Sequence, residues 1–282
     1  MPNPTIINFC PTGMVPTRDQ SPFVPLSPSE IIEEVHEAFE LGITLVHLHA
    51  RDDTGAPTPS PEIYSAIIEG VRKNCPGLLI CASTSGRTHP AFEDRSAVIE
   101  LRPDLCSLTL GSLNFLREAS LNPPDMIISL AEKMKQYGVH PELECFDMGM
   151  IHFGKHLIKK GILTGPFYWN LLFGNTAGWQ ASLPEMGLAA HELTGDEHLF
   201  AFAGIGKDQL TANAIAIAQG WGVRVGLEDN LWWDSAKTRK ADNLSLLRRI
   251  HSLMEIHDRP LMTSSSMGKL GFYNAQHIPA GI

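Results

Sequence analysis

Short apolar runs rich in β-branched and aromatic residues alternate along this chain with longer stretches whose apolar positions recur three and four residues apart. The short runs predict strands over 5–10, 44–50, 78–84, 105–111, 141–147, 167–174, 199–205 and 223–229. The longer stretches predict helices over 27–42, 61–74, 91–102, 123–138, 151–161, 183–195, 208–222 and 243–257. Helix ends are punctuated: Ser27 can cap the first helix, Pro28 suits its opening position, and Glu30 completes a capping box. Gly42, Gly138, Gly161 and Gly220 fall just past helix ends. Strand precedes helix in every unit, which leaves an open doubly wound sheet or a closed barrel. Eight units in about 255 residues favour an α/β fold of the (β/α)8 TIM-barrel type. No Pro, Gly or Ser tract divides the chain, so one domain over 1–282 is expected. The tail from about 258, with its SSS and FYNAQHIPAGI, fits neither rhythm and is read as irregular, packed on a neighbouring subunit.

Composition narrows the setting. A net charge of −9 without a dense run of Lys and Arg argues against a nucleic-acid surface, while leaving room for a few local cations to hold an anion. No apolar run approaches the roughly 18 residues that span a bilayer, and MPNPTIINFC lacks the layout of a signal peptide. No membrane association and a cytoplasmic setting are expected. Cys10, Cys75, Cys81, Cys106 and Cys145 are odd in number, widely spaced and without a CxxC pair. They are expected to be reduced and mostly buried.

VHLHARDD, 46–53, concentrates polarity at the end of the second strand. In a (β/α)8 barrel that end faces the active site, and residues two apart share a side. His47, His49 and Arg51 are therefore expected toward the axis. Two imidazoles so placed can bind one metal, although hydrogen-bonded core histidines are an equal alternative. The eighth strand, VRVGLEDN, puts Arg224, Gly226 and Glu228 on one face, and barrel closure brings it beside the first. Glu228 can then complete a His47–His49–Glu228 set with an open position, which suits Zn2+ but also cobalt, manganese or iron. Alternatively, Glu228 and Asp229 belong to a solvated turn. PELECF places Glu142 and Glu144 on one face of strand five, where burial requires a partner such as Arg224. Glu144, Arg224 and Asp229 can hold one carboxylate ready to take a proton from carbon, or form only a structural ion-pair network.

Other strand ends add binding groups. Ser83, Ser107 and Thr109 can donate to a substrate carboxylate or cap the helices that follow. AGIGKDQ, with Gly204, Gly206 and Lys207 before a helix, is a place for a nucleotide-like phosphate or a plain β-to-α turn. His36, His152, His156, His191 and His251 fall mostly on helical segments and read as surface or packing residues.

NFCPTG with TRDQSPFVPLSPSEI, then VHLHARDDTGAPT, STSGR, SLTLGSLNF, PELECFDMGM, GIGKDQL and VRVGLEDN, follow one another in an order that resembles the β-keto acid cleavage enzymes, from about residue 5 to 270. The resemblance implies a zinc-binding TIM barrel, assembled as a homotetramer, that converts a β-keto acid and acetyl-CoA into acetoacetate and a new acyl-CoA. It implies zinc on His47, His49 and Glu228, substrate carboxylate near Ser83, Ser107 and Thr109, and deprotonation promoted by Glu144, Arg224 and Asp229. Members acting on 3-keto-5-aminohexanoate carry a glutamate in the first loop to pair with its ammonium; here PTGMVPTRDQ has Val15 in that place. A neutral tail held partly by Met14 and Val15 is therefore expected. Two other readings remain: a metal-dependent hydrolase and a non-catalytic binding protein for acyl-CoA or a keto acid. Hydrolases of that kind add histidines at the ends of strands five and six, absent from PELECFD and FYWNLLFG; the binding reading predicts ligand capture without turnover.

Overall fold

A computed structural model describes residues 4–116, 118–195 and 197–279; the expected extent of 1–282 also takes in 1–3, 117, 196 and 280–282, which lie outside the described residues. The strand-like runs become β1 (Ile7–Phe9), β2 (Leu45–Leu48), β3 (Leu79–Ala82), β4 (Leu105–Thr109), β5 (His140–Cys145), β6 (Phe167–Phe173), β7 (His198–Gly204) and β8 (Gly222–Val225). All pair in parallel with their sequence neighbours. The barrel closes by β1 against β8, with Asn8 opposite Arg224. Between them run α1 (Pro28–Leu41), α2 (Pro61–Asn74), α3 (Phe92–Ala97, continued as a 3-10 turn), α4 (Pro124–Tyr137), α5 (Met148–Lys159), α6 (Leu183–Glu192) and α7 (Gln209–Gln219), with α8 (Asn243–Ile256) after β8. The Ser27–Glu30 capping box at α1 forms as expected.

Strand alternation separates two cores. Ile7, Phe9, Val46, Leu48 and Ile80 face outward and join the helices in the larger one. Their neighbours Ile6, Leu45 and Leu79 join Leu105 and Tyr168 in a smaller core. All five cysteines are buried and free. No helix among the described residues is long and apolar enough to cross a membrane.

The described part of the tail is more ordered than its composition predicts, and it packs on its own barrel. Thr263 caps a short helix, α9 (Ser264–Met267), followed by a π turn over Gly268–Phe272. Met267, Phe272 and Tyr273 enter the smaller core and plug the end of the barrel opposite the polar strand ends. Asn274 fastens the plug: its Nδ2 donates to Tyr137 O and Gly138 O, each at 3.1 Å, and its backbone N donates to Asp104 Oδ1 at 2.9 Å. An Asn274→Ala variant removes the side-chain hydrogen bonds to Tyr137 O and Gly138 O. It is expected to lose roughly 2 kcal/mol, seen as a thermal midpoint lower by about 5 °C with the remote site unaffected. An unchanged midpoint in a melting experiment would remove this fastening role.

Candidate metal centre and active site

His47 lies on β2 and His49 just past it. Their Nε2 atoms approach to 3.2 Å, and both rings are buried. Glu228 reaches them by a route that alternation did not predict: β8 stops at Val225, and Glu228 sits in a turn rather than on the strand. At Gly226 the chain presses so closely on the first strand's end that a Cβ would meet Cys10 O at 2.0 Å. The turn then carries Glu228 Oε1 to 3.2 Å from His49 Nε2 and 3.9 Å from His47 Nε2. On the other side Gly13, at φ +66°, leaves room for the carboxylate stem; a Cβ there would meet Glu228 Cγ at 2.5 Å.

A polar layer inside the barrel fixes these groups. His47 Nδ1 is 2.6 Å from Glu142 Oε2, an arrangement that presents Nε2 as the free ring nitrogen. Glu142 is fully buried and also accepts from Asn8 Nδ2 at 2.6 Å, Asn170 Nδ2 at 3.3 Å and Cys81 Sγ at 3.2 Å. Sequence reasoning placed Glu142 inward but gave it to Arg224. The missed signals were Asn8 and Asn170, amides inside strands that otherwise read as apolar.

Arg224 instead serves the last turn. Its Nε donates to Asp229 Oδ2 at 2.9 Å, and Nη2 donates to Glu228 Oε1 at 2.6 Å and Asp229 Oδ1 at 3.2 Å. Glu144 is a looser partner, 3.9 Å from Nη1, and accepts from Thr109 Oγ1 at 2.8 Å. Arg51, expected toward the axis, turns away. It donates to Gly13 O from both Nε (2.9 Å) and Nη2 (2.6 Å), and to Pro16 O and Gly55 O, clamping the first loop that carries Met14 and Val15.

The electrostatics follow from burial and these partners. Burial opposes a charge on His47, yet Glu142 and then Glu228 outweigh it and push the imidazole up to about 9. Burial lowers His49, leaving a neutral ring nitrogen to offer. Burial would raise Glu228, but Arg224 and the two histidines hold it well below the usual carboxylate range. Glu144 moves the other way: burial raises it and Glu142 adds to the effect.

A cavity of about 580 Å³ opens over these groups at the C-terminal ends of the strands. His47, His49, Glu144, Arg224, Glu228 and Asp229 lie in its wall, as do Met14, Val15, Ser83, Thr109 and Gly206. Ser107, Gly204 and Lys207 do not line it. The Ser107 hydroxyl accepts from Thr84 N and ties two strands together. Gly204 is buried at the end of β7, the Gly206 N–H donates to Asp229 O at 2.7 Å, and Lys207 is exposed. The Gly206 amide is thereby taken up by the turn that carries Asp229.

Two clusters have metal-ligand spacing among the described residues. His47, Cys81 and Glu142 are already joined to one another by hydrogen bonds, and burial raises the Cys81 thiol well above its ordinary value. The His47–His49–Glu228 set faces the cavity and suits a divalent metal: two neutral-capable nitrogens and an ionised carboxylate whose buried Oε2 has no hydrogen-bond partner among the described residues. Binding must displace the proton favoured on His47, so affinity weakens as pH falls.

The sequence matches the model of the beta-keto acid cleavage enzyme family over residues 4–270. A 3-oxoadipate:acetyl-CoA acetyltransferase of Cupriavidus necator is 36% identical over 265 residues, 93% of each chain. A 3-keto-5-aminohexanoate cleavage enzyme of Acetoanaerobium sticklandii is 32% identical, covering 92% of this chain and 95% of its own. Among solved structures, the apo structure of ObcA superposes with a TM-score of 0.75 at 20% identity, over 89% of this chain and 66% of that longer one, a likeness of fold.

Proposed function

The chain belongs to the β-keto acid cleavage enzyme family, and on that premise we propose that it transfers an acetyl group from acetyl-CoA to the two-carbon fragment of a β-keto acid, releasing acetoacetate and a new acyl-CoA. The observation that carries the reading is the convergence of His47, His49 and Glu228 on one cavity wall beside Glu144 and the Arg224–Asp229 pair. Relatives named for 3-oxoadipate and 3-keto-5-aminohexanoate support it. The substrate lacks an amino group in this proposal, since Val15 on the cavity wall offers an ammonium no counter-charge. The working form is a homotetramer, the assembly that the sequence resemblance implies and that light scattering would measure.

A divalent metal on His47, His49 and Glu228, zinc by the resemblance, would supply Lewis acidity to the keto oxygen and orient the acid beside it. Glu142 holds His47 to that task, the Ser83 hydroxyl receives the carboxylate, and the Thr109 hydroxyl holds Glu144. Glu144 takes the proton from the carbon between keto and carboxyl groups, because burial, with Glu142 adding to it, raises its carboxyl above the ordinary value and so makes it a stronger base than a free glutamate. Arg224 keeps Asp229 and Glu228 in place and presents its unbonded, buried Nη1 toward the charge that develops next to Glu144. The carbon nucleophile then attacks the acetyl thioester and expels CoA thiolate. The thiolate adds to the original keto carbon, the adjacent carbon–carbon bond breaks, and the departing carbanion of acetoacetate recovers a proton from Glu144.

The test is acetoacetate formation by metal-loaded protein with acetyl-CoA and a panel of β-keto acids of varied tail. Acetoacetate and the new acyl-CoA are expected in equal amounts, with loss on chelation and recovery on adding zinc. Acetyl-CoA consumption without acetoacetate, or turnover indifferent to chelation, would overturn the reading.

A further inference from the structure

One cation on the cavity wall has no role in the chemistry above. Arg87 lies in the loop after β3, and its guanidinium carbon sits 3.8 Å from the centre of the Phe115 ring. Phe115 lies within a two-stranded hairpin (Leu113–Asn114 with Ala119–Ser120) that the alternation did not predict. The Arg87 side chain is 16% exposed. Its Nε lies 3.5 Å from Glu118 Oε1 without a hydrogen bond, and that Nε is a buried donor left unmet among the described residues. Arg224, by contrast, is committed to two carboxylates, and Lys237 reaches the wall only as an exposed side chain. A planar fork held over an aromatic ring, poorly hydrated and with donors to offer, is preorganised for two-pronged recognition of a carboxylate.

We propose that Arg87 is a specificity residue that selects β-keto acids carrying a second carboxylate at the far end of the tail. The inference rests on the β-keto acid reading above. The keto group and first carboxylate lie at the histidine and hydroxyl side of the cavity, and the second carboxylate reaches the Arg87–Phe115 wall, replacing the partly exposed Glu118 as partner. Val15 removes an ammonium partner but does nothing against an anion, so the first loop accommodates an anionic tail as well as the neutral one.

Two six-carbon acids test this, 3-oxohexanedioate and 3-oxohexanoate, which differ only in the distal carboxylate. Metal-loaded wild type, Arg87→Met and Arg87→Lys are compared by kcat/KM for each acid and by calorimetric titration of each acid without acetyl-CoA. Wild type is expected to favour the diacid by on the order of 100-fold, and Arg87→Met to bring the two near parity by losing the diacid alone. Arg87→Lys, which keeps the charge and the packing stem, should fall between. Preference for the monoacid, or equal loss on both acids in Arg87→Met, would overturn the proposal. If neither acid turns over, the reaction assigned above fails on its own. Titration then still decides: tighter diacid binding that Arg87→Met abolishes supports the carboxylate site, and equal binding of the two acids removes it.

Discussion

Metal-loaded His49→Ala protein is expected to form acetoacetate about three orders of magnitude more slowly than wild type and to retain less zinc after dialysis, as loss of Lewis-acid stabilisation worth several kcal/mol requires. His49 is the informative ligand because its hydrogen-bond partners are His47 and Glu228, within the centre itself. Removing His47 would also strip Glu142 of its imidazole partner and leave a buried carboxylate hydrogen-bonded only by neutral donors, so lost activity would be mixed with lost stability. Zinc content and near-ultraviolet circular dichroism, measured on the same preparation as the rate, separate the two effects. A folded His49→Ala protein with full zinc and full activity would show that the cluster is not the working centre.

The second large effect is expected at Glu144. Glu144→Gln keeps the shape and the metal ligands but cannot accept a proton, and kcat should fall by about 10²–10⁴. The pH dependence has a definite sign. Burial, reinforced by Glu142, raises the Glu144 carboxyl above its ordinary value, so the group holds its proton to higher pH than a free glutamate. The base form is scarce below that raised pKa and plentiful above it, so wild-type kcat should climb through the interval and then level off. The Gln variant should show no such limb. Deuterium exchange at the carbon between keto and carboxyl groups, followed by NMR without acetyl-CoA, isolates the step. Exchange that persists in Glu144→Gln would hand the proton to Asp229.

Much of this arrangement was legible before any fold was seen, for reasons that can be traced to particular residues. The pleat of a strand puts residues two apart on one side whatever surrounds them, so His47 and His49 had to share a face, as did Glu142 and Glu144. Repetition of strand and helix, with Ser27, Pro28 and Glu30 marking a helix start, reduced the architectures to two, and the number of units chose between them. Glu228 was placed at the right end of the right element for an incomplete reason: it arrives by a turn after Gly226, not by strand alternation. Arg87 was in view within STSGR yet carried no signal, because one arginine in a loop looks the same whether it meets solvent or an aromatic ring.

What the sequence determined by itself is therefore periodic and local: which runs are strands, which faces they bury, and which side chains stand together on one strand. Tertiary structure alone decided the pairings between distant segments. It gave His47 to Glu142, drew Arg224 to Asp229 and Glu228, turned Arg51 onto the first loop, and folded the tail back to plug its own barrel. The physical reason is that backbone periodicity is set by covalent geometry and survives any context, whereas a side chain's partner depends on the register between strands and on loop paths. Small differences among many competing contacts settle those, and no local pattern encodes them.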